Sequence, residues 1–148
     1  MRWADATESR VEYIGHNLRP EDATEVALSH GSSAFDAVIE SWKASWLCKI
    51  IEGDSGNPAG ITGVCGNRIF LLGTPELTAT KEHRRALVVH GRDWILECIK
   101  AAQGPVHNWA YAKNTKGLKY LKYLNFSIDR PAPYGPSGAL FCHFWRCS

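Results

Sequence analysis

Two groups of residues in this 148-residue chain have types and spacings that suggest chemistry. The first is sulfur, at Cys48, Cys65, Cys98, Cys142 and Cys147. A closed zinc site needs four ligands, commonly grouped in close pairs. The count here is odd and no C-x-x-C pair occurs. Cys142, His143 and Cys147 are close together, but most of that stretch reads as a terminal strand. No metal site is expected, and reduced thiols are the default. The second group lies in "NTKGLKYLKYLNF", Asn114 to Phe126. Lys113, Lys116, Lys119 and Lys122 recur every three residues, interleaved with Tyr120 and Tyr123. That pattern can track phosphates. It equally describes the charged side of an ordinary amphipathic helix. A net charge of +2 is too weak to argue for nucleic acid, which usually calls for a clustered basic face. Nucleic acid is therefore not expected among the partners.

These side chains need a fold to hold them. The length suggests one domain, residues 1–148, and is enough to bury roughly 70% of the unfolded surface. Hydrophobic residues are 45% and charged residues 22%, both ordinary for a globular protein. The N-terminal "MRWADATESRVE" places charges where a signal peptide would be apolar. No apolar run approaches the ~20 residues a membrane span needs. A cytoplasmic protein, or one packaged into a particle assembled there, is expected, with no membrane partner.

The order of elements can be read from periodicity. "MRWADA" alternates like a short strand. "TESRVEYIGHN" is a helix that Thr7 or Ser9 can cap. In "LRPEDATEVALSHG", Pro20 suits the first turn, Glu21 and Asp22 suit the positive helix end, and Gly31 suits the residue just past the helix. "SSAFDAVIESWKAS" puts Phe35, Val38, Ile39 and Trp42 on one helical face. "WLCKIIE", "AGITGVCG" and "RIFLLGT" then form an antiparallel meander. The longest helix lies in "TATKEHRRALVVHGRDWILECIKAAQG". Thr78 or Thr80 can cap it, and Gly104 with Pro105 ends it. A strand ("VHNWAYA"), a short helix, a strand ("FSID"), a Pro/Gly loop ("RPAPYGPSG") and a closing strand ("ALFCHFWR") complete the chain. A strand–helix–strand passage through the long helix implies parallel neighbours. The fold class is mixed α/β.

This order resembles the GNAT fold of the N-acetyltransferases, a mixed central sheet flanked by helices. "NTKGLKYLKYLNF" is similar to the late GNAT motif. Asn114 matches its cap, Tyr120 its aromatic, and Leu124, Asn125 and Phe126 its exit. Asn125 stands where Gly is usual, and Asn is the next-best residue for the left-handed conformation required there. The chain also resembles small GNAT-like proteins of tailed bacteriophages, including the internal virion protein A group. The similar stretches are "ADATESRVEYIGHNLRPEDATEVALSHG", "AGITGVCG", "FLLGTPEL", "NWAYAKNTKGLKYLKYLNFSI" and the closing F-C-H-F strand.

The GNAT resemblance implies three requirements for activity. The pyrophosphate of acetyl-CoA is held at the start of the long helix, where N–H groups and the dipole favour an anion. Small residues there let the backbone approach closely. The corresponding "GTPELTATKEHRR" has only Gly73, Pro75 removes a donor, and Glu76 is expected to bring negative charge. Thr78, Thr80, Lys81, Arg84, Arg85 and Asn114 are the candidate cofactor-binding residues. A general acid is commonly a Tyr on the short helix, but Leu121 occupies that place, leaving Tyr120 and Tyr123 as candidates. His107 is the one titratable candidate for a base.

The resemblance thus implies the fold more firmly than the activity. The expected function is a virion-associated GNAT-like protein that has lost acetyl-CoA chemistry and binds other virion proteins. Such a protein would be located in the host cytoplasm during assembly and then in the virion, where it could be oligomeric. Trp3, Trp46, Trp109 and Trp145, with Tyr134 at the tip of the Pro/Gly loop, are candidate contacts. The alternative is an active N-acetyltransferase that uses acetyl-CoA and an amine acceptor.

Overall fold

The computed structural model describes residues 1–148. An outer strand, β1 (Arg2–Asp5), leads into α1 (Glu8–His16), α2 (Pro20–His30) and α3 (Ala34–Ala44). Their ends follow local chemistry. Pro20 lies in the first turn of α2, and Gly31 ends it with φ 67°. The Ser33 hydroxyl accepts the Asp36 N–H to cap α3. β2 (Leu47–Glu52), β3 (Pro58–Cys65) and β4 (Arg68–Gly73) form the antiparallel meander. Gly66, with φ 61°, opens the two-residue turn between β3 and β4, as a tight hairpin requires. A one-turn 3₁₀ helix (Pro75–Thr78) precedes α4 (Lys81–Ala102). Then follow β5 (Val106–Tyr111), α5 (Thr115–Tyr123), β6 (Ser127–Ile128), β7 (Ala132–Pro133) and β8 (Leu140–Arg146).

All eight strands join one sheet in the order β1-β2-β3-β4-β5-β8-β6, with β7 beside β6 on the far edge of β8. Every pairing is antiparallel except β4 with β5. Residues three apart on a strand face opposite ways, and Ile61 and Val64 of β3 show both sides. On the Ile61 side, Val11 and Ile14 of α1 and Val38 of α3 pack over Ile50, Ile61 and Leu72. On the Val64 side, Trp94, Ile95 and Cys98 of α4 and Leu124 pack over Val64, Ile69, Ala110 and Phe144. No helix is long and apolar enough to cross a membrane.

Two ends differ from expectation. α4 does not end on Gly104. Gln103 takes the left-handed conformation, φ 56°, and Gly104 N–H reaches back to the Ile99 carbonyl. The six-to-one bond of this C-cap fixes which residue must be left-handed. The Pro/Gly loop is not free at its tip. Tyr134 stacks on Trp109, 4.6 Å between ring centroids and 8° between planes, and Ser137 donates to the Leu28 carbonyl.

Candidate functional site

β4 and β5 pair at one register step, Arg68 with His107, and then part. Asn108 sits where they separate. Its side-chain amide donates to the Ile69 carbonyl at 2.8 Å, replacing a ladder bond that the widening gap has broken. Beyond it a cavity of about 260 Å³ opens, lined by Leu71, Trp94, Trp109, Tyr120 and Leu121 among others.

Helix α2 bridges the ends of this gap with two carboxylates three residues apart, and both also line the cavity. The Asp22 carboxylate accepts the N–H of Gly73 at 2.8 Å, at the end of β4. The Glu25 carboxylate accepts the N–H of Tyr111 at 2.7 Å, at the end of β5. The Arg19 N–H also donates to the Gly73 carbonyl. The Arg19 guanidinium pairs with Asp22 at 2.7 Å. Burial raises the Asp22 carboxyl, while Arg19 and the Gly73 N–H pull it back. Burial pushes Glu25 up to about 7, against the Tyr111 N–H and the Asn114 side chain. A buried carboxyl near neutrality can exchange a proton at working pH. Neither Asp22 nor Glu25 stood out as a site residue in the sequence. Asp22, with Glu21, reads as an ordinary dipole partner in the first turn of α2, Glu25 lies beyond that turn, and their i, i+3 spacing is the one available signal.

The expected catalytic residues fall differently. Tyr120 is turned toward α4, and its hydroxyl donates to the Leu87 carbonyl at 3.0 Å. Burial raises its pKa, so it gives up a proton less readily than a free tyrosine. Tyr123 is exposed, and its carbonyl accepts from Arg92. Leu121, not a tyrosine, joins Tyr120 in the cavity wall. His107 lies at the paired end of the strands and is absent from that wall. It contacts His143 at 2.9 Å and Asn67 at 3.1 Å, while His143 contacts Asp129 at 3.3 Å. Burial, with His143 and Arg68, lowers its pKa.

The start of α4 tests whether a pyrophosphate fits. Thr80 is the cap, and its hydroxyl accepts the His83 N–H. The Thr78 carbonyl accepts from Arg84 at 3.0 Å, and its hydroxyl is 3.4 Å from Arg19. Lys81 and Arg85 are exposed on the outer side of α4. Asn114 caps α5 through the Gly117 N–H. Glu76 corrects the sequence reading, because its carboxylate turns away to accept from the N–H and hydroxyl of Ser55. The Glu76 carboxylate is thus held by Ser55, while Glu82 remains in the first turn of α4 and Asp54 lies 3.0 Å from His83. One cap donor is spent there, and no glycine lets the backbone approach phosphate closely. These residues do not fit an ordinary pyrophosphate cradle.

No protein-family profile and no curated protein sequence matches the chain. Solved structures match along nearly its whole length. A ribosomal-protein-alanine N-acetyltransferase from Brucella melitensis has TM-score 0.66 at 12% identity, covering 100% of both chains. A GNAT superfamily phosphinothricin acetyltransferase from Sinorhizobium meliloti, in complex with AcCoA, has TM-score 0.67 at 10% identity, covering 99% of this chain and 87% of that one. A mutant spermidine N-acetyltransferase from Vibrio cholerae has TM-score 0.68 at 8% identity, covering 99% and 95%. The fold is that of the GNAT acetyltransferases. At such identities the likeness carries the GNAT fold and not its chemistry.

Proposed function

We propose that this GNAT-fold chain acts as a binding protein of a bacteriophage, without acetyl-CoA chemistry, and that its partners are other virion proteins. The observation that carries the loss of chemistry is the closure of the strand gap by Asp22 and Glu25. The N–H groups at the mouth of that gap already have carboxyl acceptors inside the protein. An incoming ligand must displace both bonds, and the one to Asp22, which pairs with Arg19, is charge-assisted and stronger than a neutral one. Leu121 in the acid's place and the glycine-free start of α4 support the same reading. The phage context rests on the sequence resemblance.

Partner binding is supported by two exposed tryptophans at one end of the sheet. Trp46 is 49% exposed and Trp145 38%, whereas Trp3 packs on Trp94 and Trp109 under Tyr134. Trp46 donates to the Gly66 carbonyl, Asn67 contacts His107, and His107 is the cross-strand partner of Trp145. The two rings therefore flank one continuous surface, and tryptophan is a favoured interface anchor. Calorimetric titration with acetyl-CoA tests the loss of chemistry: no saturable heat up to millimolar ligand is expected, and a one-site micromolar isotherm overturns it. Cross-linking during infection tests the partners: adducts to virion proteins that disappear in Trp46→Ala/Trp145→Ala are expected, and none to any virion protein overturns that part.

One observation favours a second reading, an N-acetyltransferase. Glu25, held near neutrality beside a cavity, has the pKa a general base for an amine needs.

A further inference from the structure

The net charge of +2 conceals a sorting of charge on the outer surface of α4 and α5. At 100° per residue, Lys81, Arg85 and Arg92 share one flank of α4. Glu82, Asp93 and Glu97 lie on another, with Lys100 among them. Arg92 donates to the Tyr123 carbonyl, so the basic flank is the one beside α5. Helix α5 has no acidic residue, and Lys116, Lys119 and Lys122 are exposed on it. None of these cations forms an ion pair; the eight pairs in the protein lie elsewhere. Tyr123 lies among them with 49% of its surface exposed.

We infer that this face binds the sugar–phosphate backbone of single-stranded nucleic acid, with Tyr123 as a stacking surface for a base. Like charges gathered without partners repel one another, and a polyanion relieves that repulsion while releasing its own counterions. The composition distinguishes the two obvious polyanions. An acidic protein surface is met best by Arg and apolar anchors, and lysine is depleted at protein interfaces. Here Lys116, Lys119 and Lys122 line the helix and one exposed aromatic accompanies them, the combination that follows a phosphate chain and stacks on bases. The face lies on the outer side of the α4–α5 layer, and neither its cations nor Tyr123 line the cavity.

Fluorescence anisotropy with a labelled 20-nucleotide oligo(dT) over a salt series tests this. Binding is expected at low salt, with log affinity falling linearly against log salt. The Lys116→Gln/Lys119→Gln/Lys122→Gln variant, checked for an unchanged melt, is expected to bind at least tenfold more weakly. Its salt slope is expected to flatten by roughly 0.7 for each phosphate that is no longer neutralised. Tyr123→Ala is expected to weaken binding at an unchanged slope. Lys43→Gln, on α3, is expected to have no effect. Absence of binding at low salt, or equal affinity in the triple variant, overturns the inference. Binding of poly-glutamate as tight as oligo(dT) also overturns it, in favour of an acidic protein.

Discussion

Glu25 of α2 accepts the backbone N–H of Tyr111 at 2.7 Å, across 86 residues of sequence. That bond, with its neighbour from Asp22 to Gly73, ties the ends of two diverging strands to one helix. A gap that would otherwise expose unpaired strand edges, which must find partners when buried, is closed from within the chain.

The tie makes stability depend on pH. Burial raises Glu25 from 4.5 to about 7 in the folded protein, so ionisation costs more folded than unfolded. The stability held with Glu25 protonated is full below pH 4.5 and is lost as pH rises through about 7. The loss is about 3 kcal/mol. Glu25→Gln keeps an acceptor for the Tyr111 N–H and removes the charge. Its thermal midpoint should match wild type near pH 4.5 and exceed it at pH 8. A variant less stable than wild type at pH 8 would contradict this.

Asp22 should tolerate truncation far less well. It is 2% exposed, pairs with Arg19 and accepts the Gly73 N–H. Asp22→Ala leaves a largely buried guanidinium and a strand-end donor without their acceptor. A cost of about 3–5 kcal/mol is expected in urea unfolding. A loss under 1 kcal/mol would mean that water readily replaces the carboxylate.

Tyr120 and Tyr123 should separate as packing and surface residues. A Cβ on Gly91 would lie 2.7 Å from the Tyr120 hydroxyl oxygen, so α4 and α5 meet closely here. Tyr120→Phe should cost about 1 kcal/mol through the missing bond to Leu87, and Tyr123→Phe almost nothing. Gly91→Ala should cost about 1–3 kcal/mol by overpacking, and less in the Tyr120→Phe background, where the hydroxyl is gone. Equal costs in both backgrounds would place the clash elsewhere.

The left-handed Gln103 offers a stabilising change. Its φ of 56° suits Gly better than a residue with a Cβ. Gln103→Gly should raise stability by about 0.5–1 kcal/mol. Asn125→Gly, at φ 63°, should gain less, because Asn tolerates that region. Destabilisation at Gln103 would point to a role for its side chain.

Local chemistry made much of this fold legible. The Ser33 and Asn114 caps, the face of α3 around Val38, the meander and the left-handed Asn125 all follow from neighbours within a few residues. The site was less legible because its contacts are distant. Glu76 read as a charge near the helix start, yet Ser55 in the preceding hairpin draws it away. Asp22, with Glu21, reads as a helix-start acid and Glu25 carries no local signal, because nothing local says that α2 lies across the gap between β4 and β5. Nor does periodicity show that β4 and β5 pair at one step only.

On the proposed function, α2 holds the strand ends against acetyl-CoA. The most direct measurement follows the amide resonances of Gly73 and Tyr111 by NMR during titration with acetyl-CoA. Both signals should stay in place up to millimolar ligand, because their hydrogen bonds to Asp22 and Glu25 persist. Saturable movement of both at micromolar ligand would show that the gap opens and takes the cofactor, and would contradict the claim.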